Sequence, residues 1–204
     1  MTFTSLTFLI FLPLVFIAYW TVGRRSTQNV LLVFASYVFY CWWDYRFCAL
    51  MLASSLVDYA IGWRLANTQQ LSARKCLLAL SLLSNLGLLA ALKYFNFFLD
   101  NFTLLASGFG WQINTGTIEI ILPVGISFYT FQTLSYTIDI YRRQIQPTTN
   151  LVDYLAFVSF FPQLVAGPIE RASRLLPQFA IAKVFPTAML PMAAGKFCGD
   201  FSKN

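Results

Sequence analysis

Long apolar runs separated by short polar connections dominate the pattern of the chain. Five runs come close to the roughly 20 residues that a membrane-spanning helix needs, and they fall at 3–22, 29–43, 47–63, 76–98 and 118–138. A sixth run at 151–166 and a weaker seventh at 184–195 leave the number of membrane segments open between five and seven. Because backbone in hydrocarbon has to satisfy its own hydrogen bonds, the pattern predicts an all-α, polytopic transmembrane bundle. Residues 99–117, rich in Gly, Asn and Thr, are predicted to form an outward loop.

Composition agrees with this prediction, since 58% of the 204 residues are hydrophobic and only 11% are charged. Basic residues concentrate in alternate connections, at 24–25, 64–75 and 142–143. The positive-inside rule therefore places these connections in the cytoplasm and the N-terminus outside. The net charge of +6 follows from these flanks, and it predicts contact with the lipid bilayer and none with nucleic acid.

Polar residues lie on one face of the helix predicted for the fifth run. Tyr129, Gln132, Tyr136 and Asp139 follow Gly125 at spacings of 4, 7, 11 and 14 residues, which is helical spacing. Such a face is costly in lipid, so it should look into the protein. The spacing leaves two interpretations open, namely the lining of a water-filled cavity and hydrogen bonding between neighbouring helices.

An ionisable residue, Asp58, falls well inside the third run. A carboxyl group at membrane depth is by default a hypothesis for a functional site. The alternative is that one basic partner neutralises it and that it only sets the packing of helices.

The stretch FPQLVAGPIERA at 161–172 interrupts the sixth run. Pro162 and Pro168 each remove a backbone donor, and Gly167 permits unusual dihedral angles, so the helix should break here. Irregular backbone at membrane depth survives only where protein or water covers it. The stretch is therefore either a re-entrant or surface element beside a cavity, or an ordinary cytoplasmic turn.

Two long motifs carry a resemblance to a known family. They are LPVGISFYTFQTLSYTIDIYR at 122–142 and FVSFFPQLVAGPIERASRLLPQF at 157–179, supported by FLPLVFIAYW at 11–20 and SYVFYCWWDYRF at 36–47. The chain resembles the membrane-bound O-acyltransferase family, in the branch of the alginate O-acetyltransferases. The resemblance implies that residues 1–179 form the N-terminal part of such a membrane domain, and that 180–204 are a divergent tail of a truncated or frameshifted chain.

The resemblance implies a helical fold around a central funnel in a bacterial inner membrane. It further implies transfer of an acyl group from a donor such as acetyl-CoA to hydroxyls of an exopolysaccharide such as alginate, with periplasmic acetylation partner proteins. Of the two interpretations of the polar face in the fifth run, the resemblance favours the lining of a cavity. The funnel-lining candidates are Tyr129, Gln132, Tyr136, Asp139, Gln163, Glu170 and Arg171. The structural positions of the two motifs are Pro123, Gly125, Pro162, Gly167 and Pro168.

The chain contains no histidine. This absence excludes histidine metal sites and histidine general bases within the chain, and no metal site or bound cofactor is expected. The catalytic histidine of the family therefore has no counterpart, so no catalytic residue is assigned and the chain alone is expected to be inactive. A non-catalytic membrane scaffold or subunit, and a small channel or transporter, are the alternatives.

Overall fold

The computed structural model describes residues 6–42, 44–109, 125–167 and 170–181, without the side chains of 96 and 164–166. All regular structure in these ranges is helical, which confirms the all-α prediction. The helices are α1 (Leu6–Thr21), α2 (Arg25–Cys41), α3 (Tyr45–Asn67), α4 (Leu71–Gly108), α5 (Ile126–Tyr141), α6 (Leu151–Ser159), α7 (Phe161–Ala166) and α8 (Ala172–Phe179). The weak apolar run at 184–195, Pro123 and Pro168 lie outside the described residues.

Over the described residues, each of the first five apolar runs overlaps one helix, α1 to α5, and the sixth is divided between α6 and α7. The division falls at Phe160, whose ψ of 97° leaves the helical region. Pro162 stands in the first turn of α7, where a missing backbone donor costs nothing. The predicted break is confirmed, and it begins about two turns before the Gly167 bend.

The outward loop predicted from residue 99 is wrong over its first part, because α4 continues to Gly108. Polar residues do not end this helix, since their side chains bond carbonyl groups of the helix itself. Asn101 Nδ2 donates to Phe97 O at 2.6 Å, and Ser107 Oγ donates to Leu104 O at 2.8 Å. The rest of the predicted loop lies outside the described residues.

Within the described ranges, one helix is long and apolar enough to cross a membrane, namely α4 over Leu71–Phe95. Helix α1 is apolar but shorter, over Leu6–Thr21. Many large apolar side chains of these two helices are exposed, for example Leu9 at 70% and Leu83 at 73%. The prediction of five to seven membrane segments stays a prediction.

The packing of α3 against α5 depends on a glycine. A Cβ atom added at Gly62 in α3 would lie 2.7 Å from Cε1 of Tyr136 and 3.0 Å from Cδ1 of Ile140, both in α5. Helix α5 itself starts at a glycine, because Gly125 has a φ of 80°, in the left-handed region that side chains disfavour.

Helix α8 is bound at its C-terminal end to α2 and α6. Both Arg25 Nε, at 3.0 Å, and Asn29 Nδ2, at 2.8 Å, donate to the carbonyl oxygen of Phe179. The same two side chains bind Asp153 of α6, Arg25 as an ion pair and Asn29 with a hydrogen bond of 2.7 Å. Asp153 and Asn29 are each 3% exposed and the Arg25 side chain is 39% exposed, so the cluster joins three helices at the edge of the buried interior.

The close approach at Gly62 gives the first prediction. Gly62→Ala should lower the free energy of unfolding by about 1–3 kcal/mol, because the tyrosine ring that it meets is buried and has no space to move into. Gly87→Ala in α4 is the matched control, since nothing lies within 4 Å of the added atom. The control should be neutral or raise stability by up to about 1 kcal/mol through helix propensity. Reversible unfolding in detergent measures both, and equal stability of the two variants would contradict the packing.

Candidate functional site

A buried carboxylate lies at the centre of the helical packing. Asp58 of α3 has no exposed surface. Its two oxygens accept hydrogen bonds from α4, Oδ1 from Ser81 Oγ at 2.6 Å and Oδ2 from Asn85 Nδ2 at 2.7 Å. Both donors lie near the middle of Leu71–Phe95, the part of α4 that is long and apolar enough to cross a membrane.

The hydrogen bonds around Asp58 extend to α5. Thr133 Oγ1 lies 3.3 Å from Asn85 Oδ1, and Thr137 Oγ1 lies 3.3 Å from Ser81 Oγ. All five residues are at most 3% exposed. We call this set, Asp58, Ser81, Asn85, Thr133 and Thr137, the Asp58 network. It joins three helices through side-chain oxygen and nitrogen atoms.

The hypothesis that one basic residue neutralises Asp58 is wrong for the part of the chain that the structure describes. The ion pair found there joins Arg25 to Asp153 instead. The partners of Asp58 are a hydroxyl and an amide, which sequence reasoning missed. The signal was present as Ser81 and Asn85, spaced i, i+4 inside an otherwise apolar run, so that both face one neighbour.

The predicted polar face of α5 is buried at all four positions. Tyr129 and Gln132 are 2% exposed, Tyr136 is 0% and Asp139 is 4%. Gln132 Nε2 donates to Phe157 O of α6 at 2.8 Å. Asp139 Oδ2 accepts from the backbone N–H of Ser173, in the first turn of α8, at 3.3 Å. These bonds join helices, and the lining of a funnel by this face stays a prediction.

Tyrosine hydroxyl groups collect in the same interior. Four are buried and have no hydrogen-bond partner among the described residues, and they belong to Tyr37, Tyr40, Tyr129 and Tyr154. A fifth buried hydroxyl, that of Tyr136, lies near the backbone of Thr148. The rings of Tyr136 and Tyr154 pack with centroids 4.7 Å apart. A buried polar group without a partner costs about 1–3 kcal/mol, so nearly all such groups in proteins are paired. This interior can therefore offer several hydroxyl groups to a polar ligand or to ordered water.

The candidates from the second motif lie apart from the Asp58 network. Gln163 is 9% exposed, Glu170 is half-buried and Arg171 is exposed just before α8. Gly167 has a packing role, since an added Cβ would meet backbone and side-chain atoms of Gln163 at 2.8–2.9 Å. The structure thus brings the α5 candidates together and leaves Glu170 and Arg171 at the surface of the described part.

Histidine, cysteine and acidic side chains do not form a metal-binding group of three within the described ranges. The Asp58 network and the tyrosine hydroxyls offer hydrogen-bond donors and acceptors, which bind and orient polar groups. The geometry supplies no histidine base, as the sequence already required.

Comparison with known proteins matches this chain to bacterial O-acetyltransferases. Proteins described as probable alginate O-acetylase AlgI, from Pseudomonas aeruginosa and Azotobacter vinelandii, are each 42% identical to it over 182 residues. The match takes in 88% of this chain and 34% and 36% of those two proteins. The peptidoglycan O-acetyltransferase of Helicobacter pylori is 32% identical over 204 residues, which is 86% of this chain and 38% of that protein.

Over most of its length, the chain is homologous to these O-acetyltransferases. The resemblance that the two motifs indicated is thereby confirmed. The chain spans about a third of the length of the relatives it matches. No family model and no solved structure matches the chain.

The Asp58 network gives the second prediction. Asp58→Asn should change the free energy of unfolding by less than about 1 kcal/mol, because asparagine still accepts from Asn85 and donates to Ser81, whose hydroxyl can turn to Thr137. Asp58→Leu should lower it by about 1–3 kcal/mol, because the amide of Asn85 then loses a buried acceptor. Unfolding in detergent compares the two variants. A leucine variant as stable as the asparagine variant would show that the network does not stabilise the helices.

Proposed function

We propose that this chain forms part of a membrane O-acyltransferase that transfers acetyl groups to hydroxyls of an exopolysaccharide such as alginate. The observation that carries the proposal is the 42% identity over 182 residues to proteins described as alginate O-acetylases. Acetyl-CoA or a similar thioester is the proposed donor. Periplasmic acetylation proteins are the proposed partners.

The buried face of α5 supports the proposal that the sugar acceptor or the acyl donor reaches the reaction site through this part of the chain. The two motifs that carry the similarity contact each other, through Gln132 with Phe157 and through Asp139 with Ser173. Their shared interior holds the unpaired hydroxyl of Tyr129 and the buried hydroxyl of Tyr136. We propose that these groups orient an acyl donor or a sugar hydroxyl within a funnel, with the chemical base supplied from outside this chain.

The membrane location is part of the same proposal. Helix α4 over Leu71–Phe95 is apolar enough to span a bilayer, and exposed apolar side chains on α1 and α4 suit a lipid environment. Basic residues at 24–25, 64–75 and 142–143 support a bacterial inner membrane location with the N-terminus outside.

A second candidate is a non-catalytic membrane scaffold or subunit. The absence of histidine favours it over an independently active enzyme. In this case the chain would hold helices in place for a partner that carries the base, without touching the substrate.

A chimera separates these candidates and gives the third prediction. This chain would replace the matching segment of Pseudomonas aeruginosa AlgI, and acetylation of alginate would be measured in a strain that lacks the native protein. The chimera should restore acetylation. Gln132→Leu in the chimera should lower the rate, normalised to membrane abundance, on the order of tenfold, if the amide also orients a reacting group.

Two variants control this experiment. Gln144→Leu makes the same chemical change at an exposed position just after α5, and it should leave the rate unchanged. Asp139→Asn retains an oxygen that can accept from Ser173, so abundance should hold while the rate falls if Asp139 faces the substrate path. Loss of rate and abundance in parallel for both α5 variants would favour the scaffold, and a chimera that never acetylates would oppose the enzyme proposal.

A further inference from the structure

A polar cavity lies at one end of the bundle, away from the Asp58 network. It occupies about 220 Å³ where the C-terminal ends of α3 and α5 meet the first turn of α4. Its polar lining consists of Gln69, Arg74, Arg143 and Gln146. Two of these side chains are cationic, two are neutral amides and none is acidic.

Arg74 forms the buried base of the cavity, at 5% exposure. Its guanidinium donates only to backbone carbonyl oxygens of the helix ends, including Thr68 O at 3.2 Å and Tyr141 O at 2.8 Å. These carbonyls carry the negative ends of the α3 and α5 dipoles, and the Arg74 guanidinium offsets them with one positive charge. Because no acidic side chain pairs with Arg74 within the described ranges, the buried end of the cavity keeps a positive charge.

Arg143 forms the open side of the cavity. It has a φ of 59°, the left-handed conformation with which many helices end just after the C-cap and which favours glycine. Its backbone N–H closes the end of α5 by donating to Ile140 O at 3.0 Å. Its side chain is exposed and makes no hydrogen bond to any described residue, so the guanidinium is available to a ligand.

The surrounding charges have the same sign. Arg64, Lys75 and Arg142 are exposed at the same helix ends. Of the acidic groups on the helices that meet here, Asp58 binds α4 and Asp139 binds the backbone of Ser173. The third, Asp100, lies toward the opposite end of α4. The local field therefore favours an anion.

We propose that this cavity is a binding site for a phosphate group. Arg143 supplies a bidentate guanidinium, Arg74 a fixed positive charge beneath it, and Gln69 and Gln146 neutral donors at the rim. Guanidinium groups match the geometry of phosphate oxygens better than ammonium groups do. The phosphate belongs either to the headgroup of an anionic phospholipid or to a soluble phosphorylated compound. The proposal stands without the acyl transfer proposed above, because it rests on the cavity alone.

The backbone conformation of Arg143 permits a variant that removes the guanidinium without straining the fold. Arg143→Gly removes the guanidinium and suits a φ of 59°, so thermal stability should not fall. Binding of inorganic pyrophosphate to the full chain in neutral detergent, measured by titration calorimetry, should weaken at least about tenfold in this variant. Arg142→Gln is the control, because it removes the neighbouring exposed charge but not a cavity residue, and it should change the affinity less than about threefold.

A second arm identifies the source of the phosphate. The titration is repeated in nanodiscs of phosphatidylglycerol and of phosphatidylcholine. Competition by phosphatidylglycerol that Arg143→Gly abolishes would identify a lipid headgroup, and pyrophosphate binding of equal strength in both nanodiscs would identify a soluble ligand. Absence of pyrophosphate binding together with no dependence on phosphatidylglycerol would overturn the proposal. Equal losses from Arg142→Gln and Arg143→Gly would overturn it as well, because they would show a diffuse field instead of a site.

Discussion

A carboxyl group that is removed from solvent needs hydrogen-bond donors around it, and this requirement at Asp58 organises the centre of the molecule. The donors come from a neighbouring helix, Ser81 and Asn85 of α4, and both in turn lie next to threonines of α5. One turn after Asp58, the missing side chain of Gly62 lets the ring of Tyr136 approach α3. The polar network thus joins α3, α4 and α5, and close packing at Gly62 joins α3 to α5 one turn further along.

From this centre, α5 connects the rest of the described structure. Other side chains of α5 form hydrogen bonds to α6, through Gln132, and to the start of α8, through Ser135 and Asp139. Helix α8 is held at its other end by Arg25 and Asn29, which also bind Asp153. The two motifs shared with O-acetyltransferases are therefore one physical unit, joined by hydrogen bonds between helices. A funnel wall built on this unit would be held rigidly, as a site that orients a substrate requires.

Much of this arrangement could be predicted from local patterns. Apolar runs located the first five helices, helical spacing grouped the buried face of α5, and Pro162 with Gly167 marked a real interruption. The length of α4 could not be predicted from composition, because Asn101 and Ser107 bond their own helix instead of ending it.

Contacts between helices could not be predicted from the sequence either. The pairing of Asp58 with Ser81 and Asn85 depends on the rotation of α4 against α3, which no single helix encodes. The same holds for the cavity at Arg74 and Arg143, whose residues come from two connections far apart in the chain. From the sequence, the two arginines were interpreted only as basic residues that flank membrane-spanning segments.

The central claim is that a shared hydrogen-bond network, and not apolar contact alone, fixes α3, α4 and α5. A double-mutant cycle with Asp58→Leu and Asn85→Leu, read as free energies of unfolding in detergent, measures this coupling directly. The network predicts an interaction energy of about 1–3 kcal/mol, with the double variant less destabilised than the sum of the single variants. Additive effects within about 0.3 kcal/mol would contradict it.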